Sequence, residues 1–378
     1  MDQQANDKTR SFCDPRLSAA DRLASAAEAG PGAAAVLTGT AAHRSLAAAV
    51  LACAPPMEFF YSLTPEAVLD AVEAALGAGA RATGRCLVLN SLENRVYDVE
   101  LEDGGHVIGK FYRPGRWGQA ALLDEHRFLH DLQAAEVPAV APLLLANGST
   151  LAQTSDGIYF ALFPKVRGRS LQELSPSLLR QVGRFLARIH NVGASAAAPH
   201  RLQLTVESFA APALAMLLES DAIDIQVRSR YERTARAILA RTESALSALP
   251  RLRIHGDCHL GNLLFHEEAP LFLDFDDMLC GPAVQDVWMI VRGRDPEAQA
   301  QRAELVAGYR EFREFDSAWL RLVEPLRALR MLHFSAWIAR RWADPIFPRT
   351  FPDFTTYRYW LEEATALEEQ LRFIESGS

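Results

Sequence analysis

The stretch "RIHGDCHLGNLLF", residues 253–265, sets two histidines, an aspartate, a cysteine and an asparagine between apolar flanks. His255, Asp257 and Asn262 fall at the spacing H-x-D-x-x-x-x-N. At that interval a catalytic loop offers one carboxylate to an attacking hydroxyl and one amide oxygen to magnesium. Further along, "PLFLDFDD" ends an apolar run on Asp274, where a strand would deliver a second oxygen ligand to the same cleft. Phosphoryl transfer from ATP needs this set, because Mg2+ keeps several waters and takes other oxygens from the phosphates. The expected assignment is Asp257 as catalytic base, Asn262 and Asp274 as metal ligands, and ATP and Mg2+ as cofactors.

Two competing readings of the same loop are weaker. His255, Asp257, Cys258 and His259 all carry potential zinc ligands, but neighbours on a short loop point in divergent directions and no second cluster at ligand spacing exists elsewhere in the sequence. A polar turn around a buried histidine would explain "HGD" alone, but not its pairing with "DFDD". Asp276 and Asp277 would then tune the charge of Asp274 or serve as turn residues. His255 and His259 would brace the loop through backbone hydrogen bonds, and Asp286 in "GPAVQDVWM" would anchor a helix beneath it.

A nucleotide also needs a cation and a loop for its phosphates. "HVIGKFY" places Lys110 inside an alternating strand, an awkward position for a charge unless it faces a polar cleft. Glu125, in the helical "LLDEHRFLHDL", is a candidate partner, with Asp124 beside it as the alternative. No G-x-G-x-x-G precedes Lys110. "LNSLENRVYDVEL" stands there instead, a polar turn in which Ser91, Asn94 and backbone N–H groups could approach phosphate oxygens, or which is simply a hairpin turn favoured by Asn and Ser. "YFALFPKVRG" could present backbone near Phe163 to an adenine, or be an ordinary strand and linker.

These residues must be held by elements that the pattern also predicts. "SLTPEAVLDAVEAALGAG" reads as a helix capped by Thr64, with Pro65 in its first turn. From Arg85 the period changes to two: "RCLVLNS", "RVYDVELE" and "HVIGKFY" read as strands, the last two joined at Asp103-Gly104-Gly105. "QAALLDEHRFLHDLQAAE" is helical, and "TLAQTSDGIYFALFPKV" is a hairpin turning at Gly157. From Ser175 the chain is mostly helical, through "SPSLLRQVGRFLARIHNVG", "YERTARAILARTESALSALP" and a tail from Pro296 to Phe373, interrupted by the two strand-like motifs above. The expected organisation is an α+β bilobal, protein kinase-like fold. Residues 57–165 form a small mixed α/β N-lobe that binds nucleotide, and residues 166–378 a mainly helical C-lobe for catalysis and substrate. Residues 1–56, rich in Ala, Gly and Ser, read as a loosely ordered extension, or as upstream reading frame if the natural start is Met57.

Composition bounds the rest. The 378 residues are 49% hydrophobic, enough for two cores. A net charge of −8 argues against nucleic acid or anionic lipid as partner. Five cysteines without a C-x-x-C pair suggest neither a disulfide framework nor a four-cysteine zinc site, and fit a reducing compartment. No apolar run is long enough to span a bilayer.

"IHGDCHLGNLLF", "LDFDDMLCGPAVQDVWMI", "LNSLENRVYDVEL", "GKFYRPGRWGQAALLDEHRFL" and "WIARRWADPIFPRTFP" together resemble the stress response kinase A family. That family consists of bacterial protein kinases within the aminoglycoside phosphotransferase and choline kinase-like superfamily. The resemblance runs from about Leu63 to Glu369. It implies ATP-dependent phosphorylation of protein serine or threonine, including autophosphorylation, in a cytoplasmic monomer under stress. It also implies Asp257 as base, Asn262 and Asp274 as magnesium ligands, Ser91 as an ATP-contacting residue, and Lys110 with Glu125 as the nucleotide-anchoring pair. The N-terminal extension departs from the family, whose members begin close to Met57. A small-molecule kinase for an amino alcohol or antibiotic is the alternative on the same scaffold; a silent nucleotide-binding regulator is disfavoured by the intact Asp257, Asn262 and Asp274.

Overall fold

The computed structural model describes residues 60–377; the expected extension at 1–56 lies outside the described residues. The chain divides into two compact units, one built from residues 60–208 and 245–323, the other from 209–244 and 324–377.

The first unit opens with α1 (Pro65–Leu76), where Thr64 Oγ1 accepts from the N–H of Ala67 at 3.2 Å. Strands β1 (Ala82–Leu89), β2 (Arg95–Leu101) and β3 (His106–Phe111) follow as an antiparallel meander. After α2 (Gln119–Ala134), the hairpin of β4 (Ala152–Gln153) and β5 (Tyr159–Pro164) completes a five-stranded sheet in the order β1-β2-β3-β5-β4. The sheet's two faces differ as alternation requires. Tyr97, Val99, Val107, Phe160 and Leu162 pack on Val68, Val72 and Ala75 of α1. The register of the opposite face lines up Leu89, Val96, Lys110 and Ala161 in one row, with Ile108 and Phe163 in the next.

Helix α3 (Pro176–Ala194), capped by Ser175, lies against α7 (Pro296–Arg310). Their crossing is closed by glycine on both sides: a Cβ on Gly183 would overlap the carbonyl of Leu305, and one on Gly308 would overlap that of Arg180. Between them in sequence come β6 (Leu252–Ile254), paired with β9 (Leu279–Gly281), and the hairpin of β7 (Leu263–His266) and β8 (Ala269–Phe272). Helix α6 (Val284–Ile290) follows β9 and is buried along its whole length.

The second unit contains α4 (Ala211–Glu219), most of α5 (Ile225–Ser247), α8 (Val323–Arg340), α9 (Ile346–Thr350) and α10 (Tyr357–Ser376). Its centre is Trp360, fully buried edge-on to Tyr231 at 5.4 Å between ring centroids. Arg230 and Glu368 join α5 to α10 at 2.6 Å. Trp337 belongs to an aromatic cluster with Phe347 and Phe351, and Arg341 lies over its ring. Among the described residues, no helix is long and apolar enough to cross a membrane.

Candidate active site

The catalytic-loop sequence leaves β6 at Ile254 and turns at Gly256, whose φ of +84° brings the backbone so close to the carbonyl of Asp277 that a Cβ would overlap it. Only glycine meets both conditions. The turn is held from beneath by Asp286 of α6, whose carboxylate accepts the N–H groups of His255 at 2.8 Å and Gly256 at 2.9 Å. His190 of α3 donates to Asp286 at 3.1 Å and lies 2.9 Å from the hydroxyl of Tyr309. The helix crossing sealed by Gly183 and Gly308 therefore supports the loop that presents Asp257. His259 Nδ1 accepts from Gly261 N–H at 3.0 Å, and its Nε2 is 3.5 Å from the Asp257 carboxylate.

Asp257, Asn262 and Asp274 are joined through short bonds. The Asn262 amide donates to the carbonyl of Asp257 at 3.0 Å, leaving its own side-chain oxygen directed away from that bond. The N–H of Leu273 donates to the Asn262 carbonyl at 2.9 Å, which sets Asp274 next to Asn262 at the open end of the β7–β8 hairpin. His255 bridges the two loops, its Nε2 donating to the carbonyl of Leu273 at 2.8 Å. Asp274 adopts a left-handed conformation (φ +57°, ψ +66°), and its side chain is 54% exposed. Among the described residues, no three His, Cys, Asp or Glu side chains converge as a metal cage. One exposed carboxylate beside one amide oxygen suits magnesium, which binds through one or two protein oxygens plus phosphates and water.

Lys110 extends from β3 to Asp274 at 2.7 Å and lies 3.8 Å from Asp276. Burial opposes its charge, but Asp274, Asp276 and Glu125 together hold its pKa above the ordinary lysine value. Glu125 is buried on α2 and forms its ion pair with Arg201 at 3.6 Å rather than with Lys110. Burial pushes the Glu125 carboxyl up to about 7, against the opposing pull of Lys110 and Arg201. Asp124 faces elsewhere, pairing with Arg127 and accepting from the N–H of His200 at 2.9 Å. Of the two acidic neighbours, Glu125 is thus the one in electrostatic reach of Lys110.

Asn94 is 2% exposed, and both ends of its amide are occupied: it donates to Asp276 at 3.0 Å and accepts the N–H of Arg113 at 3.1 Å. Its side chain fastens the turn rather than reaching outward. Ser91 Oγ accepts the N–H of Asn94 at 3.2 Å, so the polar turn is closed on itself beside Lys110's strand. Phe163 sits on the same sheet face as Lys110, opposite Ile108. Leu89, Val96 and Ile108 on this face are only half-buried, in contrast with the sealed face on α1. They form an apolar wall that the sequence reading did not single out, although the alternation around Lys110 carried the signal.

Two arginines were also missed. Arg116, in the loop after β3, pairs with both Asp276 and Asp277. Arg201, 3% exposed, donates to the carbonyls of Phe275, Asp276 and Met278 and stacks on Trp117 with 4.2 Å to the ring centroid. Burial opposes ionisation of Asp276, yet Arg116, Lys110 and Arg201 overcome it and hold that carboxyl well below the usual range. Arg116 stood inside "KFYRPGRW", a distinctive run; nothing in the local sequence marks Arg201.

Residues 85–323 match the phosphotransferase enzyme family. The chain is 38% identical over 317 residues to stress response kinase A of Escherichia coli (strain K12), covering 84% of this chain and 95% of that protein. It is 36% identical over 316 residues to serine/threonine protein kinase RdoA of Salmonella typhimurium (strain LT2), covering 83% and 94%. Among solved structures, amicoumacin kinase hAmiN in complex with AMP-PNP, Ca2+ and Ami is similar in fold, with a TM-score of 0.59 at 17% identity over 72% of this chain and 88% of that one.

Proposed function

The chain belongs to the phosphotransferase enzyme family and, within it, to the stress response kinase A family, and on that premise we propose that it is an ATP- and Mg2+-dependent serine/threonine protein kinase. The observation that carries this reading is the linkage of Asp257, Asn262 and Asp274 through two backbone-anchored hydrogen bonds, with Lys110 placed on Asp274.

Asp257 orients the acceptor hydroxyl and takes its proton as the phosphoryl group is transferred. Asn262 and Asp274 would hold Mg2+, which when bound neutralises phosphate charge. Lys110 is fixed in its charged form and directs that charge at the phosphates, with Glu125 buried behind it. The turn at Ser91 offers backbone N–H groups to phosphate oxygens, with Asn94 holding its shape. Leu89, Val96, Ile108 and Phe163 supply the apolar wall for the adenine. The N-lobe of residues 57–165 and C-lobe of 166–378 are the functional division this mechanism uses.

Support for a protein acceptor comes from the Salmonella relative, serine/threonine protein kinase RdoA. Autophosphorylation, a monomeric state, a cytoplasmic location and a part in stress response belong to the same proposal. A small-molecule acceptor is the second reading, favoured by the likeness in fold to amicoumacin kinase hAmiN. Incubation of the purified protein with labelled ATP, Mg2+ and a generic protein acceptor, beside Asp257→Ala, separates them. Label on serine or threonine in wild type only supports the protein kinase. Turnover that appears only with an added amine or alcohol replaces it with the second reading.

A further inference from the structure

A buried arginine is expensive to keep, since desolvation of its charge offsets much of what its ion pairs return. Arg201 is such a group, and its side chain spends its donors on main-chain oxygens. Nε donates to the carbonyl of Met278 at 2.8 Å. One terminal nitrogen is shared by the carbonyls of Phe275, at 3.4 Å, and Asp276, and the other lies 3.5 Å from the carbonyl of Ala121 on α2. Its ion pair is with Glu125, and Trp117 covers one face of the guanidinium. The carbonyls of 275, 276 and 278 belong to the short 3-10 turn, Phe275–Asp277, and the residue that leaves it.

That turn begins immediately after Asp274, one of three non-glycine residues with positive φ among those described, and the only one of them in the candidate active site. A left-handed aspartate is uphill from the usual basins and persists only where its surroundings fix it on both sides. On the N-terminal side Leu273 is fixed through its N–H by Asn262 and through its carbonyl by His255. On the C-terminal side the fork of Arg201 holds the main-chain carbonyls, beside the side-chain bonds of Asp276 and Asp277 to Asn94 and Arg116. We propose that Arg201 is the positioning residue of this loop, holding Asp274 in the conformation from which its carboxylate meets the metal and tying the loop to α2 through Glu125. The inference rests on the assignment of Asp274 as a magnesium ligand.

Lysine at this position would keep the charge and the pairing with Glu125 but lacks the planar fork that reaches several carbonyls at once. Arg201→Lys and Arg201→Gln are therefore compared with wild type in three measurements. Amide hydrogen exchange over residues 274–279 is followed in metal-free protein, Mn2+ binding in the presence of ADP is followed by electron paramagnetic resonance, and the Mg2+ requirement of ATP turnover is titrated. Both variants are expected to exchange faster over 274–279 with α3 and α7 unchanged, to bind Mn2+ about 10-fold more weakly, and to need correspondingly more Mg2+. Wild-type behaviour of Arg201→Lys overturns the proposal, because charge alone would then suffice. So does a loss of thermal stability or turnover with Mn2+ affinity unchanged, and so does failure of both variants to fold, which would make Arg201 a folding residue. Wild type that binds no Mn2+ with ADP, or Asp274→Ala that binds it equally well, removes the metal assignment itself; variants that match a metal-binding wild type remove only the inference.

Discussion

Asp257 and Asp276 lie in neighbouring loops and carry the same chemical group, but they face different tests. Asp257→Ala removes the proposed proton acceptor while its loop stays pinned by Asp286, so turnover should fall by roughly 10²–10⁴-fold with the thermal midpoint close to wild type. Asp276 is the reverse case: buried, bonded to Asn94 and paired with Arg116, it anchors the polar turn and the loop after β3 to the turn behind Asp274. Asp276→Asn leaves the largely buried Arg116 short of a counter-charge and should cost about 3 kcal/mol of stability. Asp277→Asn, at a half-exposed side chain, should cost under about 1 kcal/mol. Urea midpoints of the two variants decide whether the asymmetry is real. The role proposed for Asp257 comes from the sequence, because spacing carries it. It left Asp276 undecided between charge tuning and turn formation, because burial and the arrival of Asn94 from 182 residues away are tertiary facts. For the same reason Asn94 could be read as a ligand contact when its amide in fact closes a turn.

Helix α2 buries three consecutive titratable side chains, Asp124, Glu125 and His126. Burial, with help from Lys110, lowers the His126 pKa to about 3, and the neutral ring is hydrogen-bonded between Tyr112 at 2.9 Å and Thr150 at 2.7 Å. The unfolded chain takes up a proton at His126 near its ordinary value of 6.5 and the folded chain does not, so this residue's contribution is lost as pH falls from 6.5 toward about 3. Glu125 acts with the opposite sign. Its folded pKa lies above the ordinary 4.5, so its contribution is lost as pH rises from 4.5 through about 7. Between pH 5 and 6.5 the two trends oppose each other, and wild-type stability should be nearly flat there. Glu125→Gln should leave stability rising with pH across that window, and His126→Gln should leave it falling; denaturant midpoints at half-unit steps read the slopes. The helix itself was legible from its period, as were α1, the β2–β3 turn and the β4–β5 hairpin, each marked by a cap or a glycine. Strand β9 was not, because three residues, Leu279–Gly281, buried throughout and paired with β6, carry no alternation to detect.

At the scale of the whole chain, the change from strand period to helix period announced an α+β kinase-like fold, and composition announced cores of sufficient size. The compact units were less legible. The second gathers 209–244 with 324–377 through pairs such as Tyr231 with Trp360, and no local pattern reports a helix pairing across so long a separation. Every candidate site residue, from Ser91 to Asp274, lies in the first unit, although they come from both sides of residue 165. If those residues bind Mg2+ and nucleotide, binding free energy enters that unit. Mg2+ with AMP-PNP at 100 times its dissociation constant should then stabilise it by about 2.7 kcal/mol, whereas either component alone should give much less. Hydrogen exchange in wild type should show the added protection in β3, α2 and the 253–278 segment. Asp274→Ala should lose the Mg2+-dependent part of the increment. Its midpoint without ligand should stay within about 1 kcal/mol of wild type, because the substituted carboxylate is exposed and its pairing with Lys110 is open to solvent on one side. An increment that survived Asp274→Ala in full would place the metal elsewhere, and the left-handed aspartate would need another explanation.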